Sequence, residues 1–396
     1  MNISYRPKLV AHFLVTPVLL APPFSSEASQ ANAADMGHAQ TVKIALVTTL
    51  TGNAAHLGKD EENGARMAVD DINAKGIVVG AKRIRIELLV ENDAGDPRTA
   101  TAVAQRVVDQ GAVAIVGHMN SGTSIPASRV YSEAGIAQIT PSATNPLLTR
   151  QGFTTTFRVV ATDDAQGPVL ADYAYTRLHA RRVAVIDDSS AYGVGLADRF
   201  ARAAQGHGIQ IISRDAATDH TVDFRALLTR IKASRPDALV FGGMDETGAL
   251  LLRQATSLSL NVPVIAGDGL CGQDFGKLAG PSAHRVVCSI AGSAIGSSAA
   301  GRDFQANYTN RYGQPVLGYA PFAYDAIRVI ANAITQAGST APQAVLSAVR
   351  QTNYPGITGH IQFDRYGDLR NPTVSIYGYE GVARILKEQK LETGNH

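Results

Sequence analysis

From Val42 onward the chain alternates short apolar runs with longer segments whose apolar residues recur at helical spacing. No other feature constrains the fold as strongly, because consecutive βα units close into parallel sheets with helices on both faces. The first unit is a buried strand at 42–47 and a helix over 63–73 with Ala65, Ala68, Val69 and Ile72 on one face. Gly76 stops that helix, and 84–90 alternates into a second strand. Asp96 and Pro97 supply the N-cap and first position of the next helix, which ends at Gly111. Two further apolar runs, 112–116 and 135–139, each end in a small-residue, hydroxyl-rich turn, 117–124 and 141–145.

A second series begins near Asp163. Strands are expected at 182–186, 209–212, 238–241 and 262–266, with helices at 195–205, 224–233 and 247–258. Beyond Cys288 the chain loosens through Gly292, Gly296, Ser297 and Ser298, as a crossing or linker does. A helix at 321–337 follows, and 361–364 and 373–377 read as strand, turn, strand. With 396 residues, 45% of them hydrophobic, the chain is long enough for two packed domains. The expected fold class is α/β, with two doubly wound parallel-sheet domains joined by a multi-strand hinge. A site then belongs in the cleft between the domains, at the strand ends.

The first 34 residues differ in kind. Arg6 and Lys8 precede an apolar run, 9–21, and small polar residues then reach Ala31-Asn32-Ala33-Ala34. This is the order of a secretory signal peptide, with cleavage expected near Ala33. The run is short for a membrane span and contains His12 and Pro17. The mature protein is expected to be soluble and exported. In an oxidising compartment Cys271 and Cys288 are expected to pair across a short loop, the alternative being two free buried thiols. Net charge is +2, with basic residues scattered, which argues against nucleic acid or an anionic membrane as partner.

The sequence carries no H-E-x-x-H, no metal-type Cys/His cluster and no G-x-S-x-G elbow, so neither enzyme chemistry, a cofactor nor a metal is expected. His118 reads as a packing histidine. Asp60-Glu61-Glu62 reads as a first helical turn whose carboxylates face water and complement the dipole. Gly193-Val194-Gly195 resembles a dinucleotide loop, but Asp198 at the third glycine position repels a pyrophosphate. A binding reading explains more residues. A helix opening at Ser121 presents free N–H groups to a carboxylate-sized anion, and the Ser142-Ala143-Thr144 turn lies on the neighbouring strand end. Ser121 and Thr144 suit a carboxylate. The Ser142 carbonyl and Asp268, at the end of a second-domain strand, suit an ammonium, with Tyr192, also at a second-domain strand end, capping the ligand from the far side.

Several motifs in order give the chain a resemblance to the periplasmic branched-chain amino-acid (leucine/isoleucine/valine) binding proteins of ABC transporters, within the type I periplasmic-binding fold. They are 63–66 (Asn-Gly-Ala-Arg), 70–76, 117–121, 140–146, Tyr192-Gly193-x-Gly195 and Phe363-Asp364-x-x-Gly367-Asp368. The resemblance implies an α-carboxylate at Ser121 and Thr144, and an α-ammonium at the Ser142 carbonyl and Asp268, where the family often has Glu. It places Tyr192 at the cleft tyrosine, Asp163 at the first hinge crossing and Tyr319 on the apolar pocket. Leu57 stands where the leucine-binding type has a tryptophan, and Met244 where it often has a tyrosine. Gly95 and Asn120 occupy the places of that family's first-domain disulfide. One lobe is expected from 41–162 plus 291–368, the other from 163–290 plus 369–396. The implied protein captures an aliphatic amino acid as a monomer and delivers it to an ABC permease complex in the inner membrane. The alternatives are a same-fold binder of an aromatic or short-chain carboxylate, amide or urea, and a sensory ligand-binding protein.

Overall fold

The structure, a computed structural model, describes residues 1–4, 8 and 39–391. Nearly all of the leader read at 1–34, with its cleavage point near Ala33, lies outside the described residues. Strands β1 (Gln40–Thr48), β2 (Ile77–Val79), β3 (Lys82–Asn92), β4 (Ala114–Gly117), β5 (Ala137–Thr140) and β6 (Thr156–Arg158) form a first sheet in the order β2-β3-β1-β4-β5-β6. All neighbours are parallel except β2 with β3. Helices α1 (Ala55–Lys75), α2 (Pro97–Asp109) and α3 (Ser121–Ala134) connect them. Val103, Val107, Ala127 and Tyr131 of α2 and α3 pack on one face, against Ala45, Val47 and Ile115. Ala65, Ala68, Val69 and Ile72 of α1 cover the other.

Helix α1 starts eight residues before the periodic stretch read from the sequence, and this changes the place of Asp60, Glu61 and Glu62. They do not form a solvated first turn but lie inside the helix, at 0%, 0% and 6% exposure. Asp96 does cap α2, accepting from the Thr99 N–H at 2.7 Å.

After β6 the chain enters α4 (Asp163–Thr176) and builds β7 (Arg182–Asp187), α5 (Ala191–Gly206), β8 (Gln210–Ala216), α6 (Arg225–Ala233), β9 (Ala238–Gly242), α7 (Asp245–Ser257), β10 (Val264–Ala266), α8 (Phe275–Ala279) and β11 (Val286–Ile290). It then returns to pack α9 (Ala299–Tyr312), α10 (Ala320–Ala337) and α11 (Pro342–Arg350) with the first sheet and its helix α1. A two-stranded ribbon, β12 (Asn353–Gly356) and β13 (Gly359–Gln362), leads to β14 (Thr373–Glu380) and β15 (Ala383–Leu391). The last two join the second sheet, ordered β15-β14-β11-β10-β9-β7-β8. Its core is parallel, and β14 and β15 add an antiparallel edge.

The chain thus crosses between the sheets three times, and the crossings lie side by side. The Arg158 N–H donates to the Gly367 carbonyl at 3.0 Å and the Ala161 N–H to the Ala291 carbonyl at 2.8 Å. Ser375 Oγ donates to the Gly292 carbonyl at 2.7 Å.

Candidate binding site

Both sheets reverse strand order at an interior strand, β1 in the first and β7 in the second. Connections at such a point leave in opposite directions and open a crevice at the carboxyl ends of the strands. On the first sheet this crevice is lined by the turns after β4 and β5. Gly117 ends β4 at φ 126°, and a Cβ there would lie 2.1 Å from the Val47 carbonyl oxygen, so only glycine fits. Asn120 precedes α3 without a side-chain cap, which leaves N–H groups of the first helical turn available. Ser121 Oγ accepts from the Asn145 N–H at 3.2 Å and joins this turn to the next.

The second turn is held from beneath by Arg158. Its guanidinium is completely buried and donates to the Ala143 carbonyl at 2.7 Å, the Asn145 carbonyl at 3.0 Å and Asp368 at 2.7 Å. Burial opposes ionisation of Asp368, but the charges of Arg158 and Arg150 prevail and hold its carboxyl below the ordinary range. Thr144 Oγ1 is buried and lies beside the Asp163 carboxyl. A buried hydroxyl is costly unless a partner engages it.

On the second sheet, Ser190 caps α5 through the Gly193 N–H at 2.9 Å, which sets Tyr192 in the first turn. The Tyr192 hydroxyl accepts from the Gly269 N–H at 2.9 Å and donates to Asp268 at 3.3 Å. Gln166 Nε2 donates to the same Asp268 oxygen at 3.0 Å, and the Ser289 hydroxyl fixes Gln166 in turn at 2.7 Å. The Tyr319 hydroxyl donates to the other Asp268 oxygen at 2.8 Å. Burial pushes the Asp268 carboxyl up, and the Gln166 and Tyr319 bonds offset part of that. Asp163 opens α4, with both carboxylate oxygens buried beside the Thr144 hydroxyl. Burial pushes it up to about 8, the Thr144 hydroxyl offsets part of that, and the nearby charge of Asp268 adds to it.

Leu57, Met119, Leu317 and Tyr319 form one apolar cluster, with Ala54 and Met244 against it. The structure therefore brings the sequence-derived residues together in three groups: Ser121, Ser142, Ala143 and Thr144 on the first sheet, Tyr192 and Asp268 on the second, and Leu57, Met244 and Tyr319 in the apolar cluster. Among the described residues, contacts that cross between the sheets include Tyr319 to Asp268, Asn145 Nδ2 to the Ala191 carbonyl at 2.6 Å, His56 Nε2 to Asp245 at 2.7 Å and the Gln273 N–H to the Leu317 carbonyl at 3.0 Å. A Cβ on Gly195 would meet Asn145 Nδ2 at 2.5 Å and one on Gly193 the Gly242 carbonyl oxygen at 2.4 Å, so the glycines after Tyr192 serve close packing against the protein's own chain.

Sequence reasoning missed several residues that hold the site. Asp60 accepts from the N–H groups of Leu317, Gly318, Tyr319 and Ala320, and from the Tyr308 hydroxyl at 2.8 Å. It caps α10 and seats Tyr319. Glu61 meets Ser142, and Met119, Leu317, Gln166 and Arg158 were also passed over. An arginine at the end of β6, directly before Val159-Val160-Ala161, was the one available signal. His118 is fully buried between Asp93 and the Tyr131 hydroxyl, each at 2.9 Å. Cys271 and Cys288 form a disulfide three residues beyond Asp268.

His56, Asp245 and Asp274 hold ligand atoms within 4.8 Å of one another. The bond to Asp245 outweighs burial and raises His56 to about 9, so the imidazole is protonated at neutral pH and pairs with that carboxylate. A surface cavity of about 620 Å³ beside Leu178, Pro263, Pro281 and Arg285 lies at the opposite, amino-terminal ends of β10 and β11, away from the polar groups described above.

The family profile described as "Periplasmic binding protein" matches residues 41–379. A Leu/Ile/Val-binding protein of Rhizobium johnstonii, BraC3, is 36% identical over 359 residues, 90% of this chain and 96% of its own. A leucine-, isoleucine-, valine-, threonine- and alanine-binding protein of Pseudomonas aeruginosa is 32% identical, covering 86% of this chain and 90% of its own. Among solved structures, the branched-chain amino-acid transporter substrate-binding protein LivJ of Streptococcus pneumoniae, in complex with isoleucine, superposes with a TM-score of 0.81. It is 26% identical and covers 90% of this chain and 100% of its own.

Proposed function

Because the chain belongs to the periplasmic binding protein family, we propose that it captures an aliphatic, branched-chain type amino acid between its two sheets and delivers it to an ABC importer. The lobes are 41–162 plus 291–368 and 163–290 plus 369–396, and the three adjacent crossings are the hinge. The ligand carboxylate sits at the start of α3, on Ser121 and Thr144, where the helix dipole favours an anion. The ammonium lies between the Ser142 carbonyl and Asp268, with Tyr192 holding Asp268 in place. The side chain enters the cluster of Leu57, Met119, Leu317, Tyr319 and Met244. Asp163, at the first crossing, helps hold the lobes together. No bond is made or broken. The leader is removed near Ala33, and the mature protein acts as a soluble monomer with an inner-membrane permease complex as its partner.

One observation carries this reading: a buried acid, Asp268, stands at a strand end of one sheet and a buried hydroxyl, Thr144, at a strand end of the other. That pairing suits a zwitterion, whose two charges can both be hydrogen-bonded as water leaves. The test is calorimetry and thermal shift on the ligand-stripped mature protein. L-Leucine, L-isoleucine or L-valine at a hundred times Kd is expected to stabilise it by about 2.7 kcal/mol. The deaminated analogue 4-methyl-2-oxopentanoate is expected to give no shift, and Asp268→Asn to abolish the amino-acid response. Equal binding of the keto acid would remove Asp268 from the ammonium and leave only the fold.

A further inference from the structure

Glu61 and Ser142 raise a problem of hydrogen counting. Ser142 Oγ lies 2.5 Å from Glu61 Oε1 and 2.8 Å from the Met119 carbonyl oxygen. A carbonyl has no hydrogen to give, and the serine hydroxyl has one. Both contacts are full hydrogen bonds only if the carboxyl of Glu61 supplies the other hydrogen. The second Glu61 oxygen, Oε2, accepts from the Thr48 hydroxyl at 2.7 Å, which leaves Oε1 to carry the proton.

We propose that Glu61 is a neutral carboxylic acid that donates to Ser142, which donates in turn to the Met119 carbonyl. It is thereby the positioning residue for both ligand turns of the first lobe. The chain of bonds runs from the end of β1 through α1 to the turns after β5 and β4, so one side chain sets the spacing of three strand ends. It also commits the Ser142 hydroxyl to the frame and leaves the backbone carbonyl of that residue for the ligand. Neutrality matters beyond geometry. An ionised Glu61 would set a negative charge beneath the turns that receive a carboxylate, and this part of the inference rests on the amino-acid reading above.

The surroundings favour the neutral form. Glu61 is fully buried, and burial pushes its carboxyl up to about 8. The charged groups acting on it are Asp93, itself paired with His118, and Asp60 on the same helix, and both disfavour another negative charge. Tyr319, at the start of α10, adds a hydroxyl that is itself pushed up by burial and remains uncharged.

Infrared spectroscopy of the mature protein near pH 7 tests the protonation directly. The Glu61→Gln variant is expected to lack a protonated-carboxyl C=O band that the wild type shows, with no matching loss of a carboxylate band. Glutamine can reproduce the pattern, accepting from Thr48 and donating to Ser142, so its L-leucine Kd near pH 7 is expected within about threefold of wild type. Glu61→Ala is expected to weaken leucine by at least about tenfold. Between about pH 7 and pH 9.5, wild type is expected to lose roughly tenfold more affinity than Glu61→Gln, a coupling of one pKa unit. Comparing the two proteins cancels titration of the leucine itself. Loss of a carboxylate band instead, or parallel pH profiles, would overturn the proposal. If leucine binds to none of the proteins, the amino-acid reading fails, and the infrared result still decides the state of Glu61.

Discussion

Asp268 keeps company with three side-chain donors, from Gln166, Tyr192 and Tyr319, yet burial still raises its carboxyl above the ordinary range. A ligand ammonium beside it favours the ionised form and pulls it back down. Between the free and bound values, amino-acid binding therefore releases protons. Calorimetry from pH 5 to pH 8 in two buffers of different ionisation enthalpy is expected to show net proton release for wild type that varies with pH; a binding heat independent of buffer at every pH would place no proton change at the site. Thr144→Val keeps the shape and removes the buried hydroxyl, so leucine affinity is expected to fall about tenfold, by the loss of one hydrogen bond to a charged group. Asp268 and Ser121 were legible because a polar residue at the carboxyl end of an apolar strand has few other places to point. Asp60 and Glu61 were not. Three consecutive acids look solvated until their donors are known, and those of Asp60 lie up to 260 residues downstream.

Helix α1 and helix α10 act as one element. A Cβ on Gly64 would lie 2.0 Å from the Ala320 carbonyl oxygen, so glycine lets the backbones meet, and Asp60 one turn earlier caps the helix that arrives there. Asp60→Ala leaves several buried N–H groups at the start of α10 unanswered. It is expected to lower the unfolding free energy by about 3 kcal/mol in urea titration and to weaken leucine binding through Tyr319. A loss under about 0.5 kcal/mol would mean that water replaces the cap. The periodic core-facing elements were readable, but α9 and β15 were not. Helix α9 buries only Gly301, Phe304 and Tyr308, too few to write a periodic stripe. Strand β15 is an edge rich in Lys, Glu and Gln, residues that suit helices, and its strand state comes from pairing with β14.

For the molecule as a whole, most of the large shifts act in one direction. Burial raises Glu61 and Asp163 to about 8 and Asp325 to about 6, while in the unfolded chain such groups ionise near 4. Across that window the folded state holds more protons, so its stability falls as pH rises. His56, raised to about 9 by Asp245, contributes fully below about 6.5 and is lost as pH climbs through 9, which adds to the same slope. Asp93 and Asp368, held low, oppose only in strong acid, where protonation removes their contribution. Thermal midpoints of the ligand-free protein are expected to be highest near pH 5 and to fall steadily toward pH 9. A flat profile would mean that the buried acids are better solvated than their packing implies. The two-sheet architecture was legible from rhythm alone, whereas the antiparallel edge strands follow from where the chain returns after its last crossing.

The bonds between the sheets also bear on time. Asp268, Tyr192 and Tyr319 are all buried, and the contacts of Tyr319, Asn145 and His56 bridge the gap in front of them. A seated molecule then cannot be pushed out by a competitor from solvent, because the competitor has no way in until those bonds part. Its residence is set by how often the protein opens. In a chase experiment the release rate should be the same at every concentration of competing amino acid, and a transport partner that parts the bonds between the sheets would raise it.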